Sequence, residues 1–218
     1  MKKFTILPLV AILFSFSSLN AQITKGSLFL GGNINVSLSH PKADDNSENY
    51  NADNFNFSPT IGKVIKDNLV FGAGLTYAYT KYSYGPANNI SSQKVNSYGA
   101  NIFLRRYSTI GKGFSIYLEG SLGGNYSKSD NTPNLNSNNF KRTSFGLGAT
   151  PGISYTITKK LQLETGLSQV FGIAYSHEKG DKGGYNNDSP YKNNSFNLYT
   201  SLNSNFLSSV YFGFRFLL

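Results

Sequence analysis

The sequence has no cysteine, only two histidines and only one long apolar run among its 218 residues. Without cysteine, neither a disulfide framework nor a thiol-linked lipid anchor is available. The apolar run, residues 4–16, is shorter than the ~20 apolar residues that a helix needs to cross a bilayer. These absences exclude a disulfide-stapled domain and a protein that spans a membrane with helices.

The N-terminus has the features of an export signal. Lys2 and Lys3 precede the apolar run, and small polar residues follow it up to Ala21. A basic head, an apolar centre and a small residue before the cleavage site are typical of a secretory signal peptide. We therefore expect a signal peptide over 1–21, cleavage after Ala21, and a single domain over 22–218.

Basic residues outnumber acidic ones, 20 to 11, which gives a net charge of +9. Such a surplus suggests either nucleic acid or an anionic membrane surface as the partner. Export argues against nucleic acid, and no basic stripe interleaved with aromatic residues is present. We expect outer-membrane lipid and lipopolysaccharide as partners, and no nucleic acid.

Eight segments alternate apolar and small polar residues with a period of two, which predicts β-strands. The predicted strands are 27–38, 53–65, 69–82, 94–107, 114–127, 142–157, 161–176 and 204–218. Three connections between them are short, at 65–69, 108–113 and 157–161. The others, at 40–52, 83–93, 128–141 and 177–194, are long and rich in Asn, Ser, Asp and Gly.

The polar face of these strands decides which side meets water. In a soluble barrel the apolar face would be buried, and the wet face would normally carry Lys, Glu and Asp. Here the polar face of the first strand reads Gly31, Asn33, Asn35, Ser37. Small uncharged groups suit the crowded lumen of an eight-stranded barrel. The sequence therefore predicts an all-β, eight-stranded antiparallel up-and-down transmembrane β-barrel, with short turns in the periplasm and long loops outside.

Two prolines, Pro59 and Pro151, fall inside predicted strands. A closed barrel has no free edge at which a missing N–H costs nothing, so we expect a bulge or a locally broken ladder at each proline. The two prolines are 92 residues apart, and the same offset places Leu30-Gly31-Gly32-Asn33 on Leu122-Gly123-Gly124-Asn125. Either a four-strand unit is duplicated or one barrel geometry imposes similar residues on similar strands; we favour duplication.

Four charged residues fall on the lumen-facing side of the predicted strands: Arg105, Glu119, Glu164 and Arg215. We expect this lumen charge network to pair, because unpaired charges in a narrow lumen are costly. A structural plug is favoured, and a gate that exchanges partners is the alternative. Tyrosines and phenylalanines near the strand ends are expected to form interfacial girdles: Tyr107, Phe114, Tyr126, Tyr155 and Tyr175.

Candidate catalytic and metal-binding residues are few. Ser176-His177-Glu178 has the residue types of a hydrolytic triad, but neighbours in an extended chain point to opposite sides. Asp44-Asp45 and the pair Asp181 and Asp188 do not match the spacing of a calcium loop. We therefore expect no enzyme activity, no metal site and no cofactor.

The sequence resembles the small outer-membrane β-barrel proteins of the OmpA/OmpX-like type, Bacteroidota members in particular. The resemblance rests on Ser58-Pro59-Thr60-Ile61-Gly62, Phe103-Leu104-Arg105-Arg106-Tyr107 and Phe212-Gly213-Phe214-Arg215-Phe216. It implies insertion into a Gram-negative outer membrane by the barrel assembly machinery, through the C-terminal strand. That family commonly ends on Phe, whereas this chain ends on Leu218.

These features predict an integral outer-membrane protein with a packed lumen and four exposed loops, in a structural or surface role. Two alternatives stay open. One is a module for adhesion or ligand binding through the loops, for which 176–194 is the best candidate. The other is a narrow channel.

Overall fold

The structure is a computed structural model, and it describes residues 23–40, 49–85, 91–111, 113–131, 139–167, 169–181, 189–200 and 210–218. The predicted signal peptide, 1–21, lies outside the described residues. Ten strand segments are present: β1 Leu28–Ser39, β2 Asn49–Lys66, β3 Leu69–Gly85, β4 Ser91–Gly111, β5 Phe114–Asn131, β6 Phe140–Thr158, β7 Leu161–Leu167, β8 Phe171–Gly180, β9 Tyr191–Thr200 and β10 Val210–Leu217. In these residues no helix is long and apolar enough to span a bilayer.

The ten segments form eight barrel strands. Segments β7 and β8 both pair with β6 and make up the seventh strand, and β9 and β10 pair with them as the eighth. Every pairing is antiparallel, and β1 pairs with β10 from Phe29–Leu217 to Gly32–Phe214, which closes the ring. The predicted fold class, an eight-stranded antiparallel up-and-down barrel, is confirmed.

Most apolar side chains point outward, and polar side chains point inward along most of the barrel. Phe212 is 77% exposed, and Ile34, Leu75 and Leu122 are also exposed. By contrast, the residues with the lowest exposure include Gln162, Ser154 and Glu164. This is the reverse of a water-soluble sheet, and it suits a surface that contacts hydrocarbon.

The strands are longer at the loop end than predicted. For example, β3 runs to Gly85 and β5 to Asn131. Both faces of these extensions are polar, so the apolar alternation on which the prediction relied is lost there. At the tight-turn end the bounds agree within one residue, because apolar residues reach the turns, except that β4 runs to Gly111, past the predicted end at 107.

The prediction for the last strand, 204–218, was wrong at its start. The eighth strand begins at Tyr191, inside the predicted loop 177–194, and β8 continues to Gly180. Residues 201–209, between β9 and β10, lie outside the described part of the chain. Within the described residues, no ladder joins β9 to the outer part of β1.

Both prolines coincide with a gap in a ladder. The β2–β3 register is unchanged on either side of Pro59, but Ser58 and Pro59 have no ladder partner in β3. At Pro151 the ladder to the seventh strand also breaks, and its register shifts by two residues across the gap between β7 and β8. Bulges occur at Val64/Lys66 and at Thr156/Thr158, again 92 residues apart.

Candidate functional site

The four predicted lumen charges meet at the tight-turn end of the barrel. Arg105 on β4 lies directly opposite Glu119 on β5. Glu164 on β7 and Arg215 on β10 are diagonal neighbours, since Arg215 lies opposite Gln162 and Gly213 opposite Glu164. Arg105, Glu164 and Arg215 are 2%, 3% and 4% exposed. We call these four residues the charge cluster.

Arg105 binds both carboxylates of the charge cluster. Its Nε donates to Glu119 Oε2 at 2.8 Å, and its Nη2 lies 2.6 Å from the same oxygen. Its Nη1 reaches across the lumen and donates to both oxygens of Glu164, at 2.8 and 2.9 Å. Arg105 therefore ties β4 and β5 to β7 on the other side of the barrel.

Arg215 is held partly by backbone groups. Its Nη1 donates to the carbonyl oxygens of Gly32 and Phe214, each at 3.0 Å. Its Nε lies 3.1 Å from Glu164 Oε2, but the N–H does not point at a partner, so this contact is an ion pair without a hydrogen bond. Glu164 is thus shared between two guanidinium groups.

Aromatic side chains surround the charge cluster. The Arg105 guanidinium lies 4.4 Å from the centre of the Tyr117 ring and 5.3 Å from that of Phe29. The Tyr107 hydroxyl donates to Glu164 Oε1 at 2.8 Å, and the hydroxyls of Tyr117 and Tyr211 are hydrogen bonded to each other. A guanidinium against aromatic faces is stabilised by cation–π attraction.

The position predicted for Tyr107, in an interfacial girdle, was wrong. Tyr107 is only 2% exposed and lies inside the barrel. The signal was present in the sequence, since Tyr107 is two residues from Arg105 and side chains two apart share a face. Tyr126 and Tyr175, by contrast, are exposed on the outer surface. Phe114 packs on Tyr155, with ring centres 4.6 Å apart.

Apolar groups complete the filling of this end of the lumen. The buried set consists of Ile23, Phe29, Val64, Val70, Phe103, Tyr107 and Tyr117. Period-two alternation predicts a uniformly outward apolar face, so this set is not predicted from the sequence. The inward Phe29, Val64 and Val70 all lie close to the tight-turn end.

Two glycines make room for the long side chains. A Cβ added at Gly31 would lie 2.2 Å from Cδ of Arg215. A Cβ added at Gly152 would lie 2.3 Å from Cζ of Tyr117. Both approaches are far shorter than van der Waals contact, so the absence of a side chain at these positions lets Arg215 and Tyr117 fold into the lumen.

The charge cluster contains two cations and two anions and is therefore neutral. Removing ions from water costs several kcal/mol per ion, and only close pairing with further hydrogen bonds offsets that cost. Here the hydrogen bonds within the cluster and from Tyr107 supply the pairing. The arrangement can block the lumen, since the Arg105–Glu164 bonds cross it and the side chains hold one another in place.

The triad residue types do not come together in the described residues. The hydroxyls of Ser176 and Ser195 are hydrogen bonded to each other. His177 Nδ1 lies 2.6 Å from Asn194 Oδ1, and Glu178 forms an ion pair with Arg142. No group of three potential metal ligands occurs within the described ranges. Asp44, Asp45 and Asp188 lie outside them.

Comparison with family models agrees with this architecture. A family model described as "Outer membrane protein beta-barrel domain" matches residues 9–203. Among solved structures, Neisserial surface protein A (NspA) is similar at 18% identity, with 90% of this chain and 97% of that chain covered and a TM-score of 0.35. No curated protein matches. Since the family model spans most of the sequence, the chain belongs to the outer membrane protein β-barrel family.

Proposed function

We propose that this protein is a non-enzymatic integral component of the outer membrane, with a lumen closed by the charge cluster and loops presented at the cell surface. The observation that carries the proposal is the burial of Arg105 and Glu164, which are only 2% and 3% exposed and whose bonds cross the lumen. An eight-stranded barrel is only wide enough for its side chains to fill. A solute would have to break these bonds in order to pass.

The orientation follows from the connection lengths. Outer-membrane barrels have short periplasmic turns and longer outer loops. The tight turns near Asn68, Gly113 and Lys159 would face the periplasm, and the charge cluster would lie in the periplasmic half. Lys63 and Arg106, which are exposed next to these turns, would extend to the periplasmic head groups.

Planar-bilayer conductance tests the closed lumen. The folded wild-type protein should give no stable openings, and the double variant Arg105→Ala/Glu164→Ala should give openings because the crossing bonds are gone. The folded state is checked first, by comparing the gel mobility of unheated and boiled samples. Stable openings from the wild type would replace this proposal with the narrow channel.

Binding through the loops is the second candidate role. Of the predicted loop 176–194, residues 176–180 and 191–194 belong to strands, so a clean test deletes only 182–188. Unchanged adhesion to surfaces after that deletion would remove this loop from the binding hypothesis. We also propose that β10, which pairs with both β1 and β7, is the strand read by the barrel assembly machinery.

A further inference from the structure

Four lysines form one row across four neighbouring strands at the loop end of the barrel. Lys128 on β5 lies opposite Lys141 on β6, Lys141 opposite Lys179 on β8, and Lys179 opposite Lys192 on β9. All four are exposed. Directly opposite residues share a face, and like charges in that position repel each other. The lysine row therefore lowers the stability of the barrel when no partner is bound to it.

The lysine row lies on the outer face of the barrel. From it toward the tight-turn end, the successive rows of paired residues become more apolar. The next row down is Tyr126, Thr143, His177 and Asn194; below it come Gly124, Phe145, Tyr175 and Phe196; and below that Leu122, Leu147, Ile173 and Leu198. Leucines and isoleucine at the bottom suit hydrocarbon, and an aromatic belt above them suits the interface. With the loops outside, the lysine row therefore lies on the head-group side of this aromatic belt.

The remaining strands of the barrel carry a row of similar position but mixed charge, which meets the lysine row at β5. Asp53 on β2 lies opposite Lys81 on β3, Lys81 opposite Lys94 on β4, and Lys94 opposite Asp130 on β5. Two carboxylates thus flank two lysines there. We call this the mixed-charge row. It shows that a row made only of lysines is not a general requirement of the loop end of the barrel.

Nearby carboxylates compensate the lysine row at one end only. Asp130 contacts Lys128 at 2.8 Å, and their hydrogen bond raises the pKa of Lys128. Glu178 points to the other face, where it pairs with Arg142 and accepts a hydrogen bond from Tyr191 at 2.6 Å. Burial and that hydrogen bond raise the pKa of Tyr191 to about 12.

Among the described residues, no carboxylate forms an ion pair with the other three lysines of the row. All four lysines line a single cleft of about 770 Å³, together with Asp130 and Asp181. The cleft therefore has a net positive lining that is open to an anionic group.

We propose that the lysine row binds the phosphorylated head groups of lipids in the outer leaflet. Three strand spacings of about 4.8 Å separate its ends by about 14 Å, which is enough for a head group with more than one phosphate. Each lysine near an anionic surface adds attraction, and the aromatic row below provides contact for the acyl region. The inference rests on the proposed orientation, with the loops outside.

The test is native mass spectrometry of the folded protein in detergent, with the bisphosphorylated glycolipid lipid A as the probe. The variant K141Q/K179Q removes the two central lysines, and K81Q/K94Q removes the matched cross-strand pair from the mixed-charge row. At about 1 kcal/mol per lysine, the first variant should weaken lipid A binding by about 10- to 30-fold. The second should change it less than about two-fold.

Equal weakening by both variants would overturn the proposal, because attraction would then depend on total charge and not on the lysine row. Inorganic phosphate is a separate arm: displacement of lipid A by phosphate at equal concentration would show a site for the free ion and would also overturn it. A wild-type protein that binds a dephosphorylated glycolipid as tightly as lipid A would do the same.

The orientation is tested on its own, so that its failure is distinguishable. Because the chain has no cysteine, a single Lys179→Cys variant reports one position. A membrane-impermeant maleimide should label it in intact cells. Labelling only after the outer membrane is broken would show that the orientation is the reverse of the proposed one. Labelling in intact cells together with unselective lipid A binding would reject only the lipid-binding role of the lysine row.

Discussion

Two sets of four charged residues lie at opposite ends of this barrel. The charge cluster, at the tight-turn end, pairs two arginines with two glutamates in a space that excludes water. The lysine row, at the loop end, sets four like charges side by side on an exposed surface. A buried charge must be compensated within the chain, whereas an exposed charge can be left for solvent or a partner.

The largest effect is expected from Glu164→Gln, which leaves both buried arginines without their shared carboxylate. Breaking a buried ion pair costs about 3–5 kcal/mol, so the free energy of unfolding in urea should fall by that amount. The matched control is Glu178→Gln at the loop end. Its partner Arg142 is half exposed, and the loss there should be below about 1 kcal/mol. Equal losses would contradict the comparison.

Glu119→Gln should have a smaller effect, because Glu119 contacts only Arg105 among the cluster arginines and its side chain is 15% exposed. Losing a hydrogen bond to a charged group costs about 1.5–3 kcal/mol. The temperature at which the folded gel band disappears should fall. An unchanged melting temperature would mean that Glu119 adds nothing to the cluster.

Gly31→Ala tests the space kept for Arg215. The new Cβ would overlap the Arg215 side chain, and overpacking of this kind costs about 1–3 kcal/mol. Gly120→Ala is the control, since nothing lies within 4 Å of a Cβ added there. Urea unfolding of the two variants should separate them; if both match the wild type, the Arg215 side chain can move aside without loss.

The smallest effect on stability is expected from K141Q/K179Q. Relief of repulsion between opposite lysines should stabilise the barrel by about 0.2–1 kcal/mol. The gain should vanish in 1 M salt, where the Debye length is about 3 Å. Urea unfolding at low and high salt measures both. A loss of stability at low salt would show that the lysines are compensated within the chain.

Period-two alternation was sufficient to predict the barrel, because each strand has one face on hydrocarbon. It also placed Arg105, Glu119, Glu164 and Arg215 on one face. It could not predict that Arg105 binds Glu164 as well as its neighbour Glu119. That contact crosses the lumen, and it depends on how the closed ring brings distant strands together.

Period-two alternation does not predict a strand correctly where the outer face of that strand is no longer apolar. Tyr191–Thr200 is polar on much of both faces, so β9 was predicted partly as loop. The aromatic residues inside the tight-turn end were missed for the opposite reason, since Tyr107 and Phe29 place large apolar groups on the polar face. Because Tyr107 is two residues from Arg105, side-chain alternation predicts that both side chains point into the lumen.

The pairing of β1 with β10 has a consequence for assembly. Arg215 lies on the segment that closes the ring, and its guanidinium caps the carbonyl of Gly32 on the segment it joins. Before the two segments meet, Arg215 already lies beside Glu164, because β10 pairs with β7, but its hydrogen bond to Gly32 has not yet formed. Sealing the cylinder and completing the hydrogen bonds of Arg215 are therefore one event, so the unsealed form leaves this guanidinium short of one acceptor.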